Sequence, residues 1–144
     1  MSIKTIYDTI ITRLETVVDL PTLQKENNRR QLGSGSSITT DWCRATLLPA
    51  RTNLETVGPN GFNEINGLVQ VDLFYPADSD YSTSFLMVDA ILNKFVAGTL
   101  INSVIIRNSY MLSAQTVKSQ GVIPNYYQVS IIIEWSLYEQ RPTI

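Results

Sequence analysis

The sequence predicts an α+β fold: a four-stranded, mainly antiparallel sheet with two helices packed on one face. Two segments carry apolar residues at three- and four-residue spacing, and four carry them at every second position. Their order is helix, strand, strand, helix, strand, strand. Each element then has one face to bury, and hairpins can join neighbouring strands. At 144 residues the chain reads as a single domain over 1–144, long enough for a core of its own.

The first helix is expected within Met1 to Leu20. Ile3, Ile6, Tyr7, Ile10, Leu14, Val17 and Val18 recur at helical spacing, with Lys4, Asp8, Thr12, Arg13 and Glu15 elsewhere around the axis. Ser2 is a suitable N-cap and Pro21 a suitable stop. The same charges interrupt any secretory core or membrane span, and their mixed signs argue against a helix lying on a lipid surface. From Pro21 to Asp41 the apolar period disappears into a Gly- and Ser-rich connection, read as a long loop over 21–41.

Trp42 to Leu48 reads as a strand, followed by a second irregular stretch over 49–66 that holds Gly58-Pro59-Asn60-Gly61. Leu68 to Tyr75 alternates, with Val69, Val71, Leu73 and Tyr75 opposite Gln70 and Asp72. Helical spacing returns in Phe85, Val88, Ile91, Leu92, Phe95 and Val96. It predicts a second helix over Ser82 to Ala97 with Gly98 as its cap. Val104 to Leu112 alternates again, with Val104, Ile106, Tyr110 and Leu112 opposite Arg107 and Ser109. The last strand, Tyr127 to Leu137, has the strongest alternation, since Tyr127, Val129, Ile131, Ile133, Trp135 and Leu137 occupy every second position. Long loops in a small domain mark where partners should be sought.

Composition narrows the chemistry. The chain has no histidine and one cysteine, so Ser-His-Asp hydrolysis, Cys-His proteolysis and the usual zinc sites have no residues to build them. Cys43 reads as a small buried hydrophobe, and its lone thiol suits a reducing compartment. The formal charge of −2 predicts no general attraction to nucleic acid or anionic membrane. Asp78, Asp80, Ser82 and Asp89 fall at calcium-loop spacing, but Thr83 stands at the required glycine and Asp89 replaces the bidentate glutamate. Helix capping accounts for them better. Gly33-Ser34-Gly35 lacks both a preceding strand and a phosphate-binding lysine, which leaves a flexible loop.

The second face of the sheet is expected to carry Arg44, Asp72, Arg107 and Glu134. Two carboxylates could share acid–base work, yet the intervening arginines favour neutralisation, and Arg44 is expected to pair with Asp72. Between Lys25 and Arg51 five cations (Lys25, Arg29, Arg30, Arg44 and Arg51) face only Glu26 and Asp41, a local excess of +3. That pattern makes Arg29, Arg30, Arg44 and Arg51 the candidates for an interface or channel. No catalytic, cofactor or metal site is implied.

The chain resembles the tail terminator, or tail completion, family of long-tailed bacteriophages. The resemblance rests on the N-terminal amphipathic helix, the strand Trp42-Cys43-Arg44-Ala45-Thr46-Leu47-Leu48-Pro49-Ala50, and the glycine-containing loop leading into Asn66-Gly67-Leu68-Val69-Gln70-Val71-Asp72-Leu73-Phe74-Tyr75-Pro76. The helix ending Phe95-Val96-Ala97-Gly98 and the closing strand pair follow in the expected order. It implies a non-enzymatic virion protein assembled in the bacterial cytoplasm. It also implies a homo-oligomer, a hexameric ring that caps the tail tube, ends tube polymerisation and presents a head-tail joining surface to the head connector or neck. DNA in the channel would touch such a ring without sequence specificity, and no membrane is involved. A head-tail adaptor or head-completion protein is the alternative, and a small enzyme or ligand-binding module is a more distant one.

Overall fold

A computed structural model describes residues 2–24, 41–58, 61–76, 81–117 and 126–140. Helix α1 (Ile3–Leu14) starts where the sequence supplies a cap: Ser2 is extended, and its Oγ accepts from the Thr5 N–H at 3.1 Å. Ile6, Ile10, Ile11 and Leu14 form its buried stripe. Ile3 and Val18, expected in that stripe, are 48% and 78% exposed. The helix ends well before Pro21, because Thr16 and Val17 tighten onto Arg13 and Leu14 by three-residue bonds.

Six strands lie among the described residues: β1 (Thr22–Gln24), β2 (Trp42–Leu54), β3 (Phe62–Pro76), β4 (Leu100–Ile101), β5 (Val104–Val117) and β6 (Tyr126–Gln140). Helix α2 (Tyr81–Lys94) sits between β3 and β4. The strand order is β1-β2-β3-β6-β5-β4; β1 runs parallel to β2 and the other neighbours are antiparallel. The fold is therefore mostly β, a curled mixed sheet with two helices, and the four-stranded α+β expectation is overturned. β1 and β4 span three and two residues, too few for any periodicity to show.

Two strands also run into the stretch read as a loop over 49–66. β2 reaches Leu54 and β3 starts at Phe62, so the connection shrinks to residues 55–61. The register shifts between Leu48 and Arg51, around Pro49, whose missing N–H interrupts the ladder. Residues 25–40, most of the other expected loop, lie outside the described residues.

The alternation of β5 is corrected as well. Register shifts fall between Ile106 and Asn108 and between Met111 and Ser113. The first inverts the phase: Ser109 stands opposite Ile133 and its Oγ donates to the Phe95 carbonyl at 2.7 Å, on the helix side. Tyr110 stands opposite Ile132, on the other face.

The core lies between the helices and one sheet face. Val69, Val71, Leu73 and Tyr75 of β3 and Val129, Ile131, Ile133, Trp135 and Leu137 of β6 meet Cys43, Ala45, Val104 and Ile106 from the flanking strands. Ile6, Ile10, Leu14, Met87, Val88 and Ile91 come from the helices. Each fully buried large apolar side chain contributes about 1.5–3 kcal/mol. That continuous layer makes a stiff body.

Candidate functional site

The even-numbered positions of β3 and β6 turn away from the helices, and one group of their polar side chains gathers around Asp72. This carboxylate is 1% exposed. Arg44 lies directly opposite it across β2–β3, and Arg44 Nη2 approaches Asp72 Oδ2 at 2.9 Å. Gln70 Nε2 donates to Oδ1 at 2.9 Å, and Ser130 Oγ donates to the same oxygen at 2.6 Å. A buried carboxylate persists only when paired and hydrogen-bonded, and Asp72 is both. The Arg44–Asp72 pairing read from the sequence is thus present.

Aromatic rings close this network at one end. Trp42 stacks on Phe74 with centroids 4.1 Å apart, Tyr126 meets Phe74 edge-on at 5.2 Å, and the Arg44 guanidinium lies 5.3 Å from the Phe74 centroid. Arg44 is held by charge on one side and by a ring on the other.

Farther along the same face a groove of about 400 Å³ is lined by residues that include Arg51, Glu64, Asn66, Arg107 and Glu134. Arg107 Nε donates to Ser136 Oγ at 2.6 Å and Nη2 to the Tyr138 hydroxyl at 2.8 Å, with Glu64 Oε2 at 3.9 Å. Asn66 Nδ2 donates to Glu64 Oε1 at 3.0 Å. Among the described residues no ion pair engages Arg51 or Glu134. The groove balances two cations against two acids, an arrangement suited to a polar contact with another chain.

The face does not assemble an acid–base pair. Asp72 stands opposite Ser130 and Glu134 opposite Leu68, which separates the two carboxylates by roughly 13 Å along the strands. Arg44 and Arg51 are likewise kept apart, opposite Asp72 and Asn66, roughly 20 Å along β3. Arg29 and Arg30 lie outside the described residues, as do Gly33-Ser34-Gly35, Asp78 and Asp80. No group of three or more Cys, Asp or Glu gathers for a metal among the described residues. No helix there is long and apolar enough to cross a membrane. Burial, aided by the charge of Asp41, pushes the Cys43 thiol up to about 12, which holds it in the unreactive protonated form.

Sequence reasoning found Arg44, Asp72, Arg107 and Glu134 through their shared strand parity. It missed Glu64, Ser136 and Tyr138 as partners of Arg107. Glu64 fell in a stretch without apolar alternation, and no local signal links Arg107 to a strand end 31 residues on.

The family model for the phage tail terminator protein matches residues 5–135. The chain belongs to the phage tail terminator family. That family is a structural one, so the member described here has a structural role in a phage tail and is a virion protein. No curated protein matches the chain. A solved structure whose name states no function is 15% identical, covers 94% of this tail terminator and 95% of its own chain, and superposes with a TM-score of 0.53, a likeness of fold. A chain from the virion of a native gene transfer agent particle is 9% identical, covers 88% and 91% of the two chains, and has a TM-score of 0.43.

Proposed function

We propose that this protein forms a ring, a hexamer by the family resemblance, that caps the tail tube, stops its polymerisation and supplies the head-tail joining surface. The family match over residues 5–135 carries the reading. The architecture supports it: a stiff sheet backed by two helices can keep its shape under load, while its polar face carries some charged groups that no ion pair engages among the described residues. Arg51 and Glu134 are such groups. Heterologous contacts between identical subunits close into a ring when the rotation between them permits. The tail tube protein below and a head connector or neck protein above are its proposed partners. Arg29, Arg30, Arg44 and Arg51 are proposed to face the channel or a partner, where repetition around a ring multiplies a small local charge excess.

The test is negative-stain imaging of concentrated protein, alone and mixed with purified tail tubes. Closed rings on tube ends and arrested tube growth are expected. If neither rings nor capped tubes form, the terminator role fails, and binding to portal or adaptor complexes instead would favour the neck-protein alternative.

A further inference from the structure

Among the described residues, no strand covers the outer edge of β5 beyond its start. Among the described residues, Ile106 is the last of that strand whose outer backbone groups are engaged: its N–H donates to the Thr99 carbonyl at 2.9 Å, and its carbonyl accepts from Gly98 at 2.7 Å. From Arg107 to Val117, β5 pairs with β6 on one side and with no described strand on the other. Ile106 stands opposite Trp135; Ser109, Met111, Ala114 and Thr116 stand opposite Ile133, Ile131, Val129 and Tyr127, in the same phase of the ladder. Their N–H and C=O groups therefore point outward, as those of Ile106 do.

The chemistry of this edge is unusual for a strand that no described strand covers. From Asn108 to Val117 it contains no charged residue and no proline. Tyr110, Met111 and Leu112 are 36%, 43% and 54% exposed. Edge strands are ordinarily blunted by lysine, proline or inward-pointing charge, and this one has only its two bulges.

We infer that the outer edge of β5 pairs, strand to strand, with the β1 flank of a second copy of this chain, so that sheet edges join neighbours around the ring. This inference rests on the ring reading above. The occupant follows from the strand order. β1 lies at the opposite end of the sheet from β5 and β4, roughly 19 Å from β5 at ordinary strand spacing. A head-to-tail contact requires two different surfaces on opposite flanks of one subunit, and the two sheet edges are such surfaces. Strand addition gains affinity from backbone hydrogen bonds and extends the sheet sideways. Because the sheet curls, each added copy is turned relative to the last, as a closed ring requires.

Two variants of the full chain test this. Met111→Pro deletes an outward N–H and spares the β5–β6 ladder, whereas Leu112→Lys places a charge on the edge. Sedimentation velocity and negative-stain imaging, with and without tail tubes, should show each variant monomeric and folded. The concentration for half-assembly should rise about tenfold or more, the effect of one unmade interchain hydrogen bond. The amides of Ser109, Met111, Ala114 and Thr116 should exchange quickly in the dilute wild type and slowly in its rings. If Met111→Pro unfolds, Leu112→Lys decides. Rings formed by the variants at the wild-type concentration overturn the edge contact and leave the ring reading intact. Closed dimers joined through two β5 edges overturn the head-to-tail arrangement. A wild type that never self-associates, alone or on tubes, overturns both.

Discussion

Gly67 shows how a single position can set the packing of the sheet. It stands opposite Trp135 across β3–β6, and an added Cβ would lie 2.8 Å from Trp135 Cζ2 and 3.3 Å from the Ala50 backbone. Trp135 is 1% exposed and cannot swing aside cheaply, so Gly67→Ala should cost about 1–3 kcal/mol as overpacking. A lowered thermal midpoint with an altered near-ultraviolet signal from tryptophan is the expected result; an unchanged midpoint would show that the indole has room. Asp72 presents the opposite case. Asp72→Ala leaves Arg44, Gln70 and Ser130 without their acceptor, and losing one partner of such a pair costs about 3–5 kcal/mol when both are buried. Arg44 is 46% exposed on its side chain, so solvent should reduce that loss in urea titration towards the lower value. Cys43 adds a pH dependence. Its folded pKa is raised from 9.0 to about 12 by burial first, so the unfolded chain releases the thiol proton at lower pH than the folded one. The stability this contributes is intact below pH 9 and is lost as pH climbs towards 12. Comparing wild type with Cys43→Ala isolates it: the wild-type midpoint should fall more steeply between those limits, and parallel curves would remove the thiol from the account.

At the scale of elements, the sequence made strands legible wherever one face is apolar without interruption. β3 and β6 show this from Val69 to Tyr75 and from Val129 to Leu137, and both extend farther only through exposed or half-buried residues, where burial no longer imposes the period. β5 was legible as a strand but not in its phase, since a bulge leaves no mark in a hydrophobic pattern that otherwise continues. Of the candidate site, the Arg44–Asp72 pair was readable because the two strands share a simple register there. The Arg107 cluster was not, because it depends on that bulge and on strand ends the pattern does not reach. The turn between β4 and β5 is a further consequence of local backbone geometry: Asn102 and Ser103 both have positive φ, 45° and 76°, the conformation of a two-residue hairpin turn that favours glycine at its second position. Ser103→Gly relieves the left-handed cost for a side-chain-bearing residue and should raise stability by up to about 1 kcal/mol. A lower midpoint on chemical denaturation would mean that the serine side chain contributes more than its backbone costs.

For the whole molecule, the question is what a weakly acidic chain does with a concentrated stretch of cations. Lys25, Arg29, Arg30, Arg44 and Arg51 are five of eleven basic residues. Arg44 is committed to Asp72 within its own chain, which calls for its own test. Arg51 is exposed and engaged by no ion pair among the described residues. In one subunit such a charge does little, since an exposed ion pair is worth about 0–1 kcal/mol. A ring repeats it in every subunit, and the summed field acts on whatever passes through or docks above, an effect that salt screens beyond about 10 Å. Reversing Arg29, Arg30 and Arg51 to glutamate shifts the formal charge from −2 by two units at each position. The monomer's thermal midpoint should barely move. Ring assembly, head-tail joining or DNA passage should be impaired, and most strongly at low ionic strength, where screening is weakest. Normal rings, normal joining and normal infectivity from the triple variant would reduce the basic stretch to a solvated surface and remove Arg51 from the partner-facing face of the sheet.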